Sequence, residues 1–480
     1  MCMAETGKMR SSGACSPTKG ASRFSARKVK ASVCALTGAS IPERHGERSL
    51  VSDTLINVQL RPRPPGPPRA FLTASEACQK LDVKRETLYA YASRGSIRTA
   101  KAAPPARGKL YLREDVERLE KRAGARRGHH AVAGAALDWG EPVLDSHITA
   151  IDVRGPRYRG YLALELVERR YPFEAVVELL RTGELPTDAK TGTSLAPHAL
   201  RALPNGLDPK LSDPIARATD LVLRLAAEKP GACGEEERTG DRLHALMPWI
   251  VRPSGFAKAA SKTSMAERIL VTLGRTPSTA RRDLVDAALV LVADHELNVS
   301  AFTARVVASS GASDLAVLAA SLQALSGAAH GGICSRIEAM VREVDDTSNA
   351  RAYVKQAAAR RDELPGFGHP LYPDGDPRTP PLLDRARALA PESGPLATLD
   401  AIERAARDEL GLLPTVDLGL VAASYALGAP LGTATALFAI GRTAGWLAHV
   451  DEQRRAGYLL RPRARYVGPR ARELPGSPER

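Results

Sequence analysis

Aromatic residues are scarce in this chain. Phe, Trp and Tyr make up 4% of 480 residues, although hydrophobic types together reach 44%. Alanine, leucine and valine must therefore fill the interior, which suits close-packed helices better than a β-sandwich. No C-x-x-C pair occurs among the six cysteines at 2, 15, 34, 78, 233 and 334. That argues against a zinc site and a disulfide framework, and it fits a reducing, cytoplasmic setting. A P-loop and a G-x-G-x-x-G following a strand are both missing, which speaks against nucleotide chemistry of those two kinds. His295-Glu-Leu-Asn-Val299 has valine where a zincin would need its second histidine, so no metal is implied. His129 and His130 lie in a polar stretch and read as solvated. The N-terminus has no apolar core of the secretory type. Leu418 to Gly441 carries no charge and is long enough to span a bilayer. It is rich in Ala and Gly, is broken by Pro430 and stands between Asp417 and Arg442, so it reads as a buried helix pair and not as a membrane span.

What is present is unevenly placed. Net charge is +14, but residues 1–127 hold 26 Lys and Arg against 11 Asp and Glu, leaving the remainder near −1. Residues 1–70 read as a disordered basic tail ending in a proline-rich linker, with five prolines between Arg61 and Arg69. A compact unit follows over 71–124. Thr73-Ala-Ser-Glu76 is a capping box that predicts a helix over Ser75–Leu81. A turn at Asp82-Val83 leads to a second helix over Lys84–Arg94, stopped by Gly95. Two short strands, Ile97–Thr99 and Lys109–Leu112, precede a charged helix from Arg113 to Arg122. This order resembles the winged helix-turn-helix of excisionases and mercury-resistance regulators. The resemblance implies DNA as a partner, with Lys84, Arg85, Thr87, Tyr89 and Arg94 reaching a major groove. Lys101, Arg107 and Lys109 would lie near phosphates.

A linker over 125–138 leads into a long region where helical periodicity dominates. Helices are predicted over Tyr161–Arg170, Phe173–Thr182, Asp213–Ala227, Ala280–Asp294, Ser300–Ser309 and Asp314–Ser326. More follow over Arg336–Val344, Asn349–Glu363, Pro380–Ala390, Pro395–Leu410 and as a pair within Leu418–His449. Strands are expected only in short hairpins, no fixed-period repeat is present, and residues 471–480 read as a flexible tail. The body is predicted mainly α.

Three segments carry chemistry. Leu364-Pro-Gly-Phe-Gly-His-Pro-Leu-Tyr-Pro-Asp-Gly-Asp-Pro-Arg378 sets one histidine among helix breakers and closes on a guanidinium. His295-Glu-Leu-Asn298 closes an apolar helix, and Gly327-Ala-Ala-His330-Gly-Gly332 follows another. Asp417 interrupts an apolar run, where an ionised carboxylate is costly without a partner or a task. Arg378, Arg442 and Arg461 supply the planar donors that suit carboxylates.

Together these segments resemble the citrate synthase family over roughly residues 140–470. Tyr158-Arg-Gly-Tyr161, Gly183-Glu-Leu-Pro-Thr187, Ala439 to His449 and Leu460 to Gly468 add to the likeness. The resemblance implies a large domain over 139–329 and 430–470 and a small domain over 330–429. It implies condensation of acetyl-CoA with oxaloacetate and water to citrate and CoA, without a cofactor. Asp417 would take the methyl proton, His330 would bond the thioester oxygen and His369 would polarise the ketone. His295, Arg378 and Arg442 would grip the oxaloacetate carboxylates, and Arg461 would enter from the second subunit of a homodimer. After His330-Gly-Gly332 the chain has Ile-Cys-Ser-Arg, where many members carry Ala-Asn-Glu. After His369 it has Pro-Leu-Tyr for a common Arg-Val-Tyr. These differences lie beside the acyl-CoA site, so propionyl-CoA, giving 2-methylcitrate, and a citryl-CoA lyase stand as alternatives. A DNA-binding regulator that senses metabolites with the same fold is a further one.

Overall fold

The computed structural model describes residues 71–101, 108–124, 144–186, 203–228, 239–259, 261–462 and 468. The predicted tail and linkers at 1–70, 125–138 and 471–480, together with Arg107, lie outside the described residues.

The chain enters as β1 (Phe71–Leu72), α1 (Ala74–Leu81), α2 (Arg85–Ser93), β2 (Thr99–Lys101), β3 (Lys109–Leu112) and α3 (Arg113–Gly124). The capping box forms: Glu76 N donates to Thr73 Oγ1 at 3.3 Å, and Thr73 N donates to Glu76 Oε2 at 2.6 Å. The strands pair antiparallel in the order β1-β3-β2. The predicted strand at Ile97–Thr99 starts later, because Ile97 is buried in the unit's own core and Arg98 is tied to Asp115. β3 is buried on both faces. Tyr111 joins the core of this unit with Leu72, Leu88 and Val116, whereas Leu110 and Leu112, with Phe71 of β1, enter the main core of the chain. A strand with side chains alternating by two is thus shared between two cores. Two polar ties reinforce the joint. Arg98 Nη1 donates to the Gly411 carbonyl at 3.4 Å, and Arg361 pairs with Glu76 at 2.9 Å.

The body opens with an antiparallel meander of β4 (Thr149–Asp152), β5 (Gly155–Tyr158) and β6 (Tyr161–Leu162). Tyr161 was expected to start a helix. It pairs instead with Tyr158 across Arg159 and Gly160, both at positive φ, the two-residue turn that matches strand twist.

Helices then follow: α4 (Ala163–Glu168), α5 (Phe173–Thr182), α6 (Pro214–Ala227), α7 (Thr239–Leu246), α8 (Phe256–Ala259), α9 (Met265–Thr272), α10 (Thr279–Leu291), α11 (Val299–Ser309), α12 (Asp314–Leu325) and α13 (Gly332–Val344). After them come α14 (Ala350–Arg360), α15 (Thr379–Leu389), α16 (Gly394–Leu410), α17 (Val416–Ala426) and α18 (Thr433–Ala456). Helices α7, α8 and α9 were not anticipated; the first two are short and lack a clear apolar stripe.

The uncharged Leu418–Gly441 run is divided between α17 and α18, and no described helix is long and apolar enough to cross a membrane. Helix α18 is buried from Thr433 to Val450 and threads the middle of the core. Two glycines let it press against the end of α10. A Cβ on Gly441 would stand 2.7 Å from the Leu289 carbonyl oxygen, and one on Gly445 would stand 2.3 Å from Asp294 Oδ1. This close approach delivers Arg442 to the segment that carries His295.

Candidate active site

Six of the seven predicted chemical residues converge, five of them at an element end or in a loop held by helices and Arg442 from the middle of α18. His295 follows α10. Glu296 beside it sits at φ 54, a left-handed conformation that turns the chain sharply toward the Asn298 cap of α11. His295 Nε2 lies 2.8 Å from the Tyr372 hydroxyl, and its ring meets the His369 ring edge-on at 5.5 Å. Burial, followed by the charges of Arg378 and its other cationic neighbours, holds the His295 pKa well below the usual histidine value. The ring is therefore neutral near pH 7.

His369 sits in the breaker-rich loop. Its Nδ1 accepts from Leu371 N at 3.2 Å, which places the proton of the neutral ring on Nε2. Burial and Arg378 push its pKa down to about 4. His330 stands just before α13, and burial with the nearby Arg442 pushes it down to about 3. Its Nε2 is 2.9 Å from Ser300 Oγ, which also accepts from Trp446 Nε1 at 3.1 Å. The Ser300 hydroxyl has two acceptors in reach, His330 Nε2 and, at 2.8 Å, Asn298 Oδ1. Asn298 Oδ1 already accepts from Ser300 N and Ala301 N in its capping role. When the hydroxyl proton serves His330 Nε2, the ring proton stands on Nδ1, which is the tautomer a donor role for His330 requires.

Asp417 lies in the first turn of α17, only 8% exposed. Thr415 Oγ1 donates to its Oδ2 at 3.0 Å, and Cys334 Sγ approaches Oδ1 at 3.6 Å. Burial raises its pKa against the opposing effects of the Thr415 hydroxyl and Arg378, giving a carboxylate more basic than usual. Cys334 holds the position where many members of the resembled family carry asparagine. Its thiol is a weak donor to that carboxylate.

The cations are held differently. Arg378 is buried and bound in a fork: Nε donates to Asp376 Oδ1 at 2.9 Å, and Nη2 donates to Asp376 Oδ2 at 2.8 Å. Burial opposes its charge, but Asp376 more than offsets this and raises its pKa. Its Nη1 makes no hydrogen bond to a described residue. Arg442 donates from Nε to the Val292 carbonyl at 2.7 Å and stacks over the Phe438 ring at 4.7 Å. Its Nη1 is buried without any hydrogen-bond partner. Burial lowers its pKa to about 10, so it stays charged at neutral pH. The charges of Arg378 and Arg442 both bear on His295, and that of Arg442 also bears on His330, a cluster whose chemistry suits a small anion with two carboxylates.

Arg461 is not brought into this cluster within the chain. It is exposed on the segment after α18 and pairs with no described residue. Lys84, Arg85, Thr87, Tyr89 and Arg94 lie on or beside α2, all exposed and away from this cluster.

Several contributors went unassigned in the sequence. Asp376 anchors Arg378 and also accepts from Val416 N at 3.0 Å, so one carboxylate ties the clamp to the helix carrying Asp417. Tyr372, Ser300 and Trp446 orient two of the histidines. Beneath them, His449 and Asp294 form a fully buried pair at 3.3 Å. Asp376 and Tyr372 were visible in the same breaker-rich loop as His369, but proximity in sequence does not show what they bind. No group of metal-ligating side chains occurs among the described residues.

The family model described as citrate synthase, C-terminal domain, matches residues 136–463. The chain belongs to the citrate synthase family. It is 31% identical over 340 residues to a 2-methylcitrate synthase of Mycobacterium tuberculosis, covering 67% of this chain and 86% of that protein. It is 32% identical over 357 residues to a citrate synthase of Haloferax volcanii, covering 68% and 93%. The structure of citrate synthase from Thermotoga maritima superposes with a TM-score of 0.59 at 25% identity, over 70% of this chain and 96% of that one. A complex of the Thermoplasma acidophilum citrate synthase with carboxymethyl coenzyme A and oxaloacetate shares the fold, with a TM-score of 0.61 at 24% identity over 69% and 96%. The protein is an acyltransferase of the condensing type, as this citrate synthase membership establishes.

Proposed function

We propose that the site condenses acetyl-CoA with oxaloacetate. The buried Nη1 of Arg442, without a hydrogen-bond partner among the described residues and close enough for its charge to bear on the neutral His295 and His330, is the observation that carries this reading. Oxaloacetate is a dianion. It satisfies Arg442 and the open edge of Arg378 at once, with His295 as a third contact.

Asp417 then takes a proton from the acyl methyl group. Burial makes its carboxylate a stronger base, and general-base catalysis of this kind contributes about 10²–10⁴-fold. His330 donates from Nδ1 to the thioester oxygen as negative charge gathers there, its other nitrogen held by Ser300. A neutral imidazole serves here because the oxygen needs a hydrogen bond and no full proton. His369 donates from Nε2 to the ketone oxygen, which becomes the alkoxide when the new carbon–carbon bond forms. Hydrolysis of the resulting thioester releases citrate and CoA. Arg461 completes the site from a second copy of the chain.

The test measures CoA release from purified protein with oxaloacetate and either acetyl-CoA or propionyl-CoA, beside Asp417→Asn. Turnover that the substitution removes supports the mechanism, and faster turnover with propionyl-CoA transfers the assignment to 2-methylcitrate. A folded protein that binds oxaloacetate and releases no CoA from either thioester overturns the condensation reading.

A further inference from the structure

Away from these histidines, a cleft of about 830 Å³ opens between the first unit of the chain and the end of α14. That volume lies within the range of about 300–1,000 Å³ typical of small-molecule sites. Its near wall carries Arg85 and Tyr89 of α2 and Lys109 of β3; its far wall is formed by Ala359 and Arg361 of the body.

The charges do not form a solvated stripe along one helix. They come from a helix start, a strand start and a helix end, and they meet at one concavity. Arg361 is neutralised by Glu76, which its Nη1 reaches at 2.9 and 3.2 Å. Arg85 and Lys109 are exposed and pair with no acidic group among the described residues. The cleft therefore holds two uncompensated positive charges. Between them the ring of Tyr89 is 52% exposed, in a unit whose other large apolar side chains are mostly covered. Hydroxyls of Ser75 and Thr99 complete the lining.

We propose that this cleft binds a small polyanion bearing a planar ring, the chemistry of a nucleoside di- or triphosphate. Arg85 and Lys109 take the phosphate charge, because guanidinium and ammonium groups are the standard phosphate donors. The Tyr89 ring stacks on the base. Ser75 and Thr99 offer hydrogen bonds to the sugar. Of the five residues expected to reach a DNA groove, Arg85 and Tyr89 line this cleft opposite Ala359 and Arg361. A cleft of this volume suits a small ligand.

The experiment is calorimetric titration of the full-length protein with ATP, adenosine and inorganic tripolyphosphate, in wild type, Tyr89→Ala and the double variant Arg85→Gln/Lys109→Gln. All three positions are exposed, so the variants leave the fold and the condensing site untouched. The expected result is saturable ATP binding that weakens at least tenfold in both variants, with adenosine and tripolyphosphate each weaker than ATP. Any of three results overturns the proposal. One is the absence of saturable binding. Another is binding of equal strength in wild type and variants, which places ATP in the acyl-CoA site. A DNA duplex that binds through Arg85 and Lys109 and is not displaced by ATP also overturns it.

Discussion

Replacing Asp376 by asparagine tests how the anion clamp and the base are joined. Each carboxylate oxygen of Asp376 is engaged twice. Oδ1 accepts from Arg378 N and Nε, and Oδ2 accepts from Arg378 Nη2 and Val416 N. Asparagine keeps the shape but must aim its NH₂ at one of those donor pairs, so two hydrogen bonds become donor-to-donor contacts. It also leaves the buried Arg378 charge without a counter-ion. Removing one partner of a buried pair typically costs about 3–5 kcal/mol. For a chain of this size that lowers Tm by about 3–5 °C. The cost is state-dependent, because a bound dianion supplies the missing negative charge. Oxaloacetate should therefore raise the Tm of Asp376→Asn more than that of wild type, as differential scanning fluorimetry would show. Catalysis should suffer separately: freeing Val416 N shifts the start of α17, and a displacement of 1 Å at a reacting group costs about 10²-fold. A variant with wild-type Tm, an unchanged oxaloacetate shift and full kcat would refute the anchoring role.

Ser300→Ala removes the partner that holds the His330 proton on Nδ1, and kcat is expected to fall about 10²-fold while oxaloacetate binding stays intact; ¹⁵N NMR of His330 reports the tautomer directly. Burial alone would push His449 down, but Asp294 and Glu452 raise it to about 9 from an ordinary 6.5. Its contribution to stability, roughly 3 kcal/mol, is thus complete below pH 6.5 and lost as pH rises through 9; His449→Gln should lower Tm at pH 7 and flatten its fall over that interval. Gly445→Ala would set a methyl 2.3 Å from Asp294 Oδ1 and 2.5 Å from the Ala293 carbonyl oxygen, and overpacking of that kind costs about 1–3 kcal/mol, visible as a reduced urea midpoint.

The residues that could be found in the sequence share one property: their type conflicts with their surroundings. His369 among prolines and glycines, and Asp417 inside an apolar run, are hard to explain by packing, so a chemical role is the natural reading. Ser300 and Asp376 carry no such conflict. Their roles exist only across the fold, where Ser300 meets Trp446 146 residues away and Asp376 meets Val416 40 residues away. The docking of the first unit leaves a trace in the sequence. Lys109-Leu-Tyr-Leu112 is continuously apolar after its first residue, the pattern of a strand buried on both faces and not of a wing facing solvent. Helix bodies emerged well because periodicity reports burial; Phe173–Thr182 matches its predicted bounds. The β4–β6 meander was harder to see, since strands of two to four residues offer too little alternation to register.

The electrostatics of the site divide the labour in a way that bears on the order of events. On the proposed roles, positive charge for the anion comes from Arg378 and Arg442, which stay charged across neutral pH, while His295, His330 and His369 serve as neutral, directional donors. Burial holds all three imidazoles below the ordinary histidine value and raises Asp417 above the ordinary carboxylate value. In the empty site Arg378 opposes the upward shift of Asp417. On the proposed roles, a dianion seated on the two arginines cancels that effect and adds negative charge nearby, and both consequences make Asp417 a stronger base. The acyl thioester is then deprotonated most readily when the ketone that will capture the carbanion is already in place.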